Sequence, residues 1–265
     1  MRILNVSGQQ LKSLSADLRI SNKSAFADGT RKNLKTQWET FILFCVYFGL
    51  VYLPACTKTL QLYVQFLSRP FKSVSSITNY LSGVRTVYLL LGMQLDEINN
   101  SLINISLRGI SRLKQHYVRQ AEAITPDILY RMYFIMDMHN KDDVVFWCLF
   151  LFAFFLVARK SNLVPTSCAD IANSKCLLQR DVVPVDNHLE VTMNWSKVIQ
   201  FGERKLVTPL LKLEGSYLCP VRAYERMVEG KKGITDSPLF VLKRGSSITY
   251  AMFQEKLRSV LSKLG

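Results

Sequence analysis

The run Val144 to Ala158 (VVFWCLFLFAFFLVA) constrains the fold of this chain more than any other segment, because it contains no charged residue. It falls short of the ~18–20 apolar residues that a membrane-spanning helix needs, and so does the second such run, Phe41 to Leu53. Both are therefore predicted as helices buried in protein cores, and no membrane partner is expected. A chain of 265 residues can bury such cores in one large or two ordinary domains. The start, Met1-Arg2-Ile3-Leu4-Asn5, lacks the long apolar stretch of a secretory signal. The six cysteines, at 45, 56, 148, 168, 176 and 219, form no CxxC pair, which argues against a zinc site and for a reducing compartment.

Apolar spacing and cap chemistry predict a helical first half. One helix follows Thr30 with Leu34, Trp38, Phe41 and Phe44 on its face and closes near Gly49. A second opens at Thr57 and stops at Pro70. A third is capped by Ser73 or Ser75 and ends at Gly92, and a fourth runs from an Asn100 cap through Leu113. Residues 115–124 read as a linker, so the expected domains are 1–119 and 120–265. After it, Thr125-Pro126 starts a new helix, with threonine as cap and proline at the first helical position.

Beyond Arg159 the pattern turns to short β-type runs at Cys176–Leu178, Leu189–Trp195 and Lys205–Leu210, with Gly202 in the turn between the last two. A helix from about Pro220 to Glu229, a short strand Pro238–Leu242 and a final helix Thr249–Leu264 complete the second half. The fold class is thus mainly α with a small β-sheet, α+β.

Charge is uneven. Residues 1–119 carry 15 Lys and Arg against 5 Asp and Glu, and residues 120–265 carry 19 against 15. A basic excess concentrated in one half points to a polyanion, of which nucleic acid is the commonest. In the first half the candidate phosphate contacts are Arg31, Lys32, Lys35, Lys72, Arg85, Arg108, Arg112, Lys114 and Arg119. Two further cations stand out by context: Arg159 at the end of the apolar run, where burial of the guanidinium is expected, and Lys197 on the first arm of a β-hairpin. Together they supply fixed positive charge to a phosphodiester.

The segments Leu156-Val157-Ala158-Arg159-Lys160-Ser161-Asn162-Leu163 and Asn194-Trp195-Ser196-Lys197-Val198-Ile199-Gln200-Phe201-Gly202, downstream of a basic helical region, resemble two motifs of the tyrosine recombinase (phage-integrase-like) family. The wording is nearest to recombinases of eukaryotic mobile elements of the Crypton and DIRS type. The resemblance covers residues 24 to 265. It implies a helical SAM-like core-binding domain followed by part of a catalytic domain, clamping double-stranded DNA, with possible homo-oligomers on the DNA and a nuclear location. In that family a tyrosine attacks the phosphodiester to give a 3′-phosphotyrosine, without metal or other cofactor. By resemblance Arg159 is the first of two arginines that stabilise charge on the nonbridging oxygens, and Lys197 is the general acid for the leaving 5′-oxygen.

The chain departs from the family pattern in two ways. Asn162 stands where many members have an acidic residue, so it can orient neighbours by hydrogen bonds but carries no charge. The family's His-x-x-Arg motif and nucleophilic tyrosine are expected downstream of a helix like Thr249–Leu264, where this sequence ends. The chain is accordingly expected to act in DNA integration and recombination as a C-terminally truncated member that does not cleave DNA alone. His116-Tyr117-Val118-Arg119 has the right spelling in the wrong place. Tyr217, Tyr224 and Tyr250 come too early for the nucleophile and are expected in cores or at helix ends, and His139 and His188 are expected to be structural. A domesticated or remnant DNA-binding protein without recombinase activity, and a helical protein-interaction scaffold, are the other classes this sequence accommodates.

Overall fold

A computed structural model describes residues 2–93, 100–116, 122–196, 199, 204–230 and 236–264. The chain divides into two compact units, Met1–Gln120 and Ala121–Gly265. It is mainly helical with one small antiparallel sheet. Among the described residues no helix is long and apolar enough to cross a membrane.

The first unit holds α1 (Arg2–Ser24), α2 (Asp28–Tyr47), α3 (Thr57–Leu67), α4 (Val74–Leu90) and α5 (Ser101–Lys114). Helix α2, expected to follow Thr30, instead starts at Asp28 behind Ala27, and α3 starts behind Cys56, neither with a side-chain cap bond. The caps of α4 and α5 are those the sequence offers: Ser73 Oγ accepts from the Ser75 N–H at 3.2 Å, and Asn100 Oδ1 accepts from the Leu102 N–H at 2.9 Å. Each leaves fewer orphan donors at a helix start. Gly92 closes α4 with φ +69°, a backbone state that costs glycine nothing. The apolar faces meet in one core around Phe41, Leu60, Tyr63, Ile77, Val84 and Tyr88. There α2 packs along α4 and α3 along α5. The Tyr88 hydroxyl accepts from the Ala55 N–H at 2.8 Å and donates to the Tyr52 carbonyl at 2.6 Å, which ties the loop after α2 to α4. Helix α1 was not anticipated; its Leu11, Leu14 and Leu18 are all exposed.

The second unit is built around α7 (Lys141–Phe155), every residue of which is buried from Val144 to Phe152. An uninterrupted apolar run leaves no polar face, so it folds only where other elements surround it. They are α6 (Pro126–Ile135), α10 (Pro220–Val228), α11 (Tyr250–Leu261) and the sheet, which contribute Leu129, Tyr224, Phe253 and Leu189 to the same core. Thr125, Asn140 and Thr249 cap α6, α7 and α11 through their side-chain oxygens. Two short helices, α8 (Lys160–Leu163) and α9 (Cys168–Ala172), lead into the sheet.

The strands β1 (Val182–Val185), β2 (His188–Met193) and β3 (Leu206–Leu211) run antiparallel in the order β1-β2-β3, with Val182 opposite Val191 and Val191 opposite Thr208. Leu189, Val191 and Met193 of β2 point inward, in the period-2 alternation of a half-buried strand. Two expected strands are reduced to bridges. Cys176–Leu178 and Pro238–Leu242 contribute only Leu178↔Pro238 and Val241↔Ser247. The last helix stops at Leu261, three residues before the expected end.

Candidate nucleic-acid interface

Arg159 is not buried, and it does not lie in the last turn of the apolar helix. The α7 ladder closes at Leu156, where the Ala158 N–H reaches back to the Ala153 carbonyl at 3.2 Å and Val157 takes φ +48°. Arg159 follows in extended backbone (φ −68°, ψ 143°) as the residue preceding α8, and it is exposed. The apolar run is not one helix to its end: the left-handed turn at Val157 closes it early and turns the arginine outward, against the expected burial of the guanidinium.

The four-residue α8 then places Asn162 inside the unit, where its amide Nδ2 donates to the Trp195 carbonyl at 2.9 Å. This bond joins the segment carrying Arg159 to the first arm of the β2–β3 hairpin. The arm is held from its other side as well. Asn194 Nδ2 donates to Asp181 Oδ1 at 2.8 Å, and Asp181 Oδ2 accepts from the Leu178 N–H at 2.9 Å. Both Asn162 and Asp181 are buried and satisfied, the condition under which buried polar groups fix a geometry instead of weakening it. Ser196 and Ile199 then exchange backbone hydrogen bonds at 3.3 and 3.1 Å. Lys197 lies outside the described residues, as do Gly202 and Arg119.

Further cations stand on the same elements. Lys160 Nζ sits 3.8 Å from the centroid of the Tyr250 ring, and Lys175 Nζ sits 5.8 Å from that of Trp195. Such placement over a ring face holds a cation without neutralising it. Arg204 and Lys205, ahead of β3, are exposed. Neither Lys160 nor Lys175 stands out in the sequence by composition or spacing. Their only sequence signal is adjacency, to Arg159 and to the turn before Cys176, and adjacency does not identify a ring partner.

In the first unit Arg31, Lys32, Lys35, Lys72, Arg85, Arg108 and Arg112 are all exposed. Arg31 pairs with Asp28 at 2.5 Å and Lys35 with Glu39 at 3.7 Å, both open to solvent. Arg108 and Arg112 stand one turn apart on α5, away from its buried Ile103 and Ile110. Lys114 is different. Its ammonium donates to the carbonyls of Ser68 and of Phe71, the latter at 2.6 Å, and so satisfies the C-terminal end of α3. It is a structural lysine and leaves the set of free phosphate contacts.

Tyr224 is buried and stacked on Phe152, and burial raises its phenol above the ordinary range. Tyr250 opens α11. Tyr217 is in neither a core nor a helix end but half-exposed among other rings. His139 is exposed and His188 lies 3.8 Å from Glu190. Among the described residues no group of His, Cys, Asp and Glu could hold a metal ion. No family model matches the sequence, and no curated protein matches it.

Proposed function

We propose that the chain binds double-stranded DNA as a relative of the tyrosine recombinases, in DNA integration and recombination within the nucleus. The observation that carries this reading is the Asn162–Trp195 hydrogen bond. It joins residues 33 positions apart and so links the two segments whose wording resembles the family's first-arginine and hairpin-lysine motifs. An exposed Arg159 at this junction offers a planar fork of donors to the nonbridging oxygens of one phosphate. Lys160 and Lys175, held over rings nearby, add positive potential at little conformational cost. The role of Lys197 as proton donor rests on the resemblance. The exposed cations of the first unit supply affinity that tracks the backbone and reads no sequence. A helical interaction scaffold does not by itself call for an exposed arginine at a built polar junction.

Fluorescence anisotropy with a labelled duplex at fixed salt tests this directly. Arg159→Ala is expected to weaken binding about tenfold, the loss of one charge-assisted phosphate contact, and Arg159→Lys to recover part of it. Equal affinity for wild type and Arg159→Ala would remove the arginine from the interface.

A further inference from the structure

Helices α2 and α4 of the first unit point the same way. Gln37 lies against Gly83, and the Tyr88 hydroxyl reaches the loop after α2 at Tyr52 and Ala55. Their last turns therefore share one end of the unit, and that end is left apolar. Tyr47 is 82% exposed, Val51 64% and Leu90 54%, and Val46, Leu89 and Leu91 are open as well. No charged residue occurs from Thr40 to Thr57 or from Thr86 to Met93. An exposed apolar surface this wide marks an interaction site.

The opposite end of the unit is basic. Lys72 stands just before α4, and Lys114, at the end of α5, donates to the Ser68 and Phe71 carbonyls between α3 and α4. Arg112 in the last turn of α5 and Arg31 and Lys32 near the start of α2 belong to this end too. The 17 residues of α4, at about 1.5 Å each, put about 25 Å between the two ends. Lys58, opening α3, and Arg85 in the later part of α4 are the exceptions on the apolar side.

This polarity decides what covers the apolar end. Phosphates would find almost no donor there. A lipid surface calls for cations flanking the inserted side chains, whereas here most of them lie at the far end. A second copy of the chain fits. Residues 1–119 carry 15 Lys and Arg against 5 Asp and Glu, so two such units repel except through a face without charge, and an uncharged apolar face is complementary to itself. The area suffices as well. With Leu43, Phe48 and Tyr52, nine side chains are open at this end. Each withdraws on the order of 50–100 Å² when covered, which comes to roughly 1,000 Å² or more across two copies, the size a specific interface needs.

We propose that the apolar end formed by the last turns of α2 and α4 is a two-fold interface through which two copies of this chain pair without DNA. Such a dimer turns its two basic ends outward. That these ends each hold a stretch of duplex rests on the DNA reading; the pairing itself does not.

Sedimentation velocity of the full 265-residue chain, without DNA and across a concentration series, tests this. A species of twice the chain's mass is expected, persisting from about 0.1 to 0.5 M salt because the contact is apolar. Tyr47→Glu combined with Leu90→Glu places like charges in both faces and should weaken self-association by at least about tenfold. Both side chains are exposed in the single chain, so the thermal midpoint should stay that of the monomer, and the loss then reads the contact and not the fold. Tyr47→Phe combined with Leu90→Met keeps the surface apolar and should pair like wild type. A wild-type chain that stays monomeric, a dimer that the glutamate pair leaves intact, or a dimer dissolved by salt overturns the proposal. So does a monomeric chain that floats with phosphatidylcholine vesicles, which would give the patch to lipid. Arg159→Ala should leave self-association unchanged, and pairing is read without DNA, so failure here and failure of the DNA reading are distinguishable.

Discussion

Two side chains of the first unit show how little residue type alone reveals about role. Lys114 has the same charge as Lys32 or Lys72, yet its ammonium is committed to the Ser68 and Phe71 carbonyls. Replacing it should leave carbonyls at the end of α3 without their donor, a loss of about 1–2 kcal/mol. Lys114→Met is therefore expected to lower the thermal midpoint of the first unit while duplex affinity at fixed salt stays within twofold of wild type. A large drop in affinity with unchanged stability would reverse the assignment. Tyr63 is the opposite case: an ordinary-looking core residue whose buried hydroxyl has no hydrogen-bond partner among the described residues. Burial first, then the neighbouring Tyr80 and Cys45, push its phenol well above the ordinary value of 10.0. Tyr63→Phe removes an unsatisfied group and should stabilise the unit by about 1 kcal/mol, measured by urea unfolding near neutral pH. The sign with pH follows from linkage. The unfolded phenol ionises near 10 and the folded one only higher, so wild type loses stability as pH rises above 10 while the phenylalanine variant is spared that loss.

At the scale of elements, α4, α5 and α6 were legible because cap and periodicity agree at each of them. Thr57, Ser73, Asn100 and Thr125 each mark a start within one residue of the observed one. Three features were not legible, each for a physical reason. Helix α1 presents its described leucines to solvent, so no opposing face in the sequence reports what it packs against. Strand β1 contains Pro184, which cannot donate to a ladder and is tolerated because β1 is an edge; Pro209 sits likewise on the other edge strand, β3. The segments bridged at Leu178 and Val241 look like strands in sequence because they are apolar, but each bridge finds a partner at only one position. The α2–α4 crossing is another feature that spacing hides. A Cβ on Gly83 would lie 2.0 Å from Gln37 Oε1 and 2.7 Å from Gln37 Cβ. Helix propensity favours alanine at a mid-helix glycine by about 1 kcal/mol, but the clash includes Gln37 Cβ, which no rotamer change can move. Gly83→Ala should therefore destabilise the first unit by about 1–3 kcal/mol net, and adding Gln37→Ala, which keeps that Cβ, should not restore it. Denaturant midpoints of the single and double variants check both statements.

At the scale of the whole molecule, the candidate site was legible as two spellings and one charge imbalance, while its assembly was not. The bond from Asn162 to Trp195 depends on the left-handed turn at Val157 and on α8, neither of which has a sequence signature of its own, since valine is among the residues least suited to positive φ. The charge imbalance carries a consequence that needs no knowledge of the target sequence. Each phosphate neutralised by a bound cation lowers the slope of log affinity against log salt by about 0.9 for duplex DNA. Arg108 and Arg112 stand one turn apart on the exposed side of α5, where one helix face would lie along the backbone. If both reach phosphates, Arg108→Ala combined with Arg112→Ala should make the slope shallower by about 1.8 and weaken binding most at low salt. The loss should be the same on duplexes of unrelated sequence, because backbone contacts position without specifying. Lys114→Met, whose ammonium is spent internally, serves as the matched control and should leave the slope unchanged. A double arginine variant with the wild-type slope would show that the excess of the first unit is solvated charge, and the DNA reading would then rest on the second unit alone.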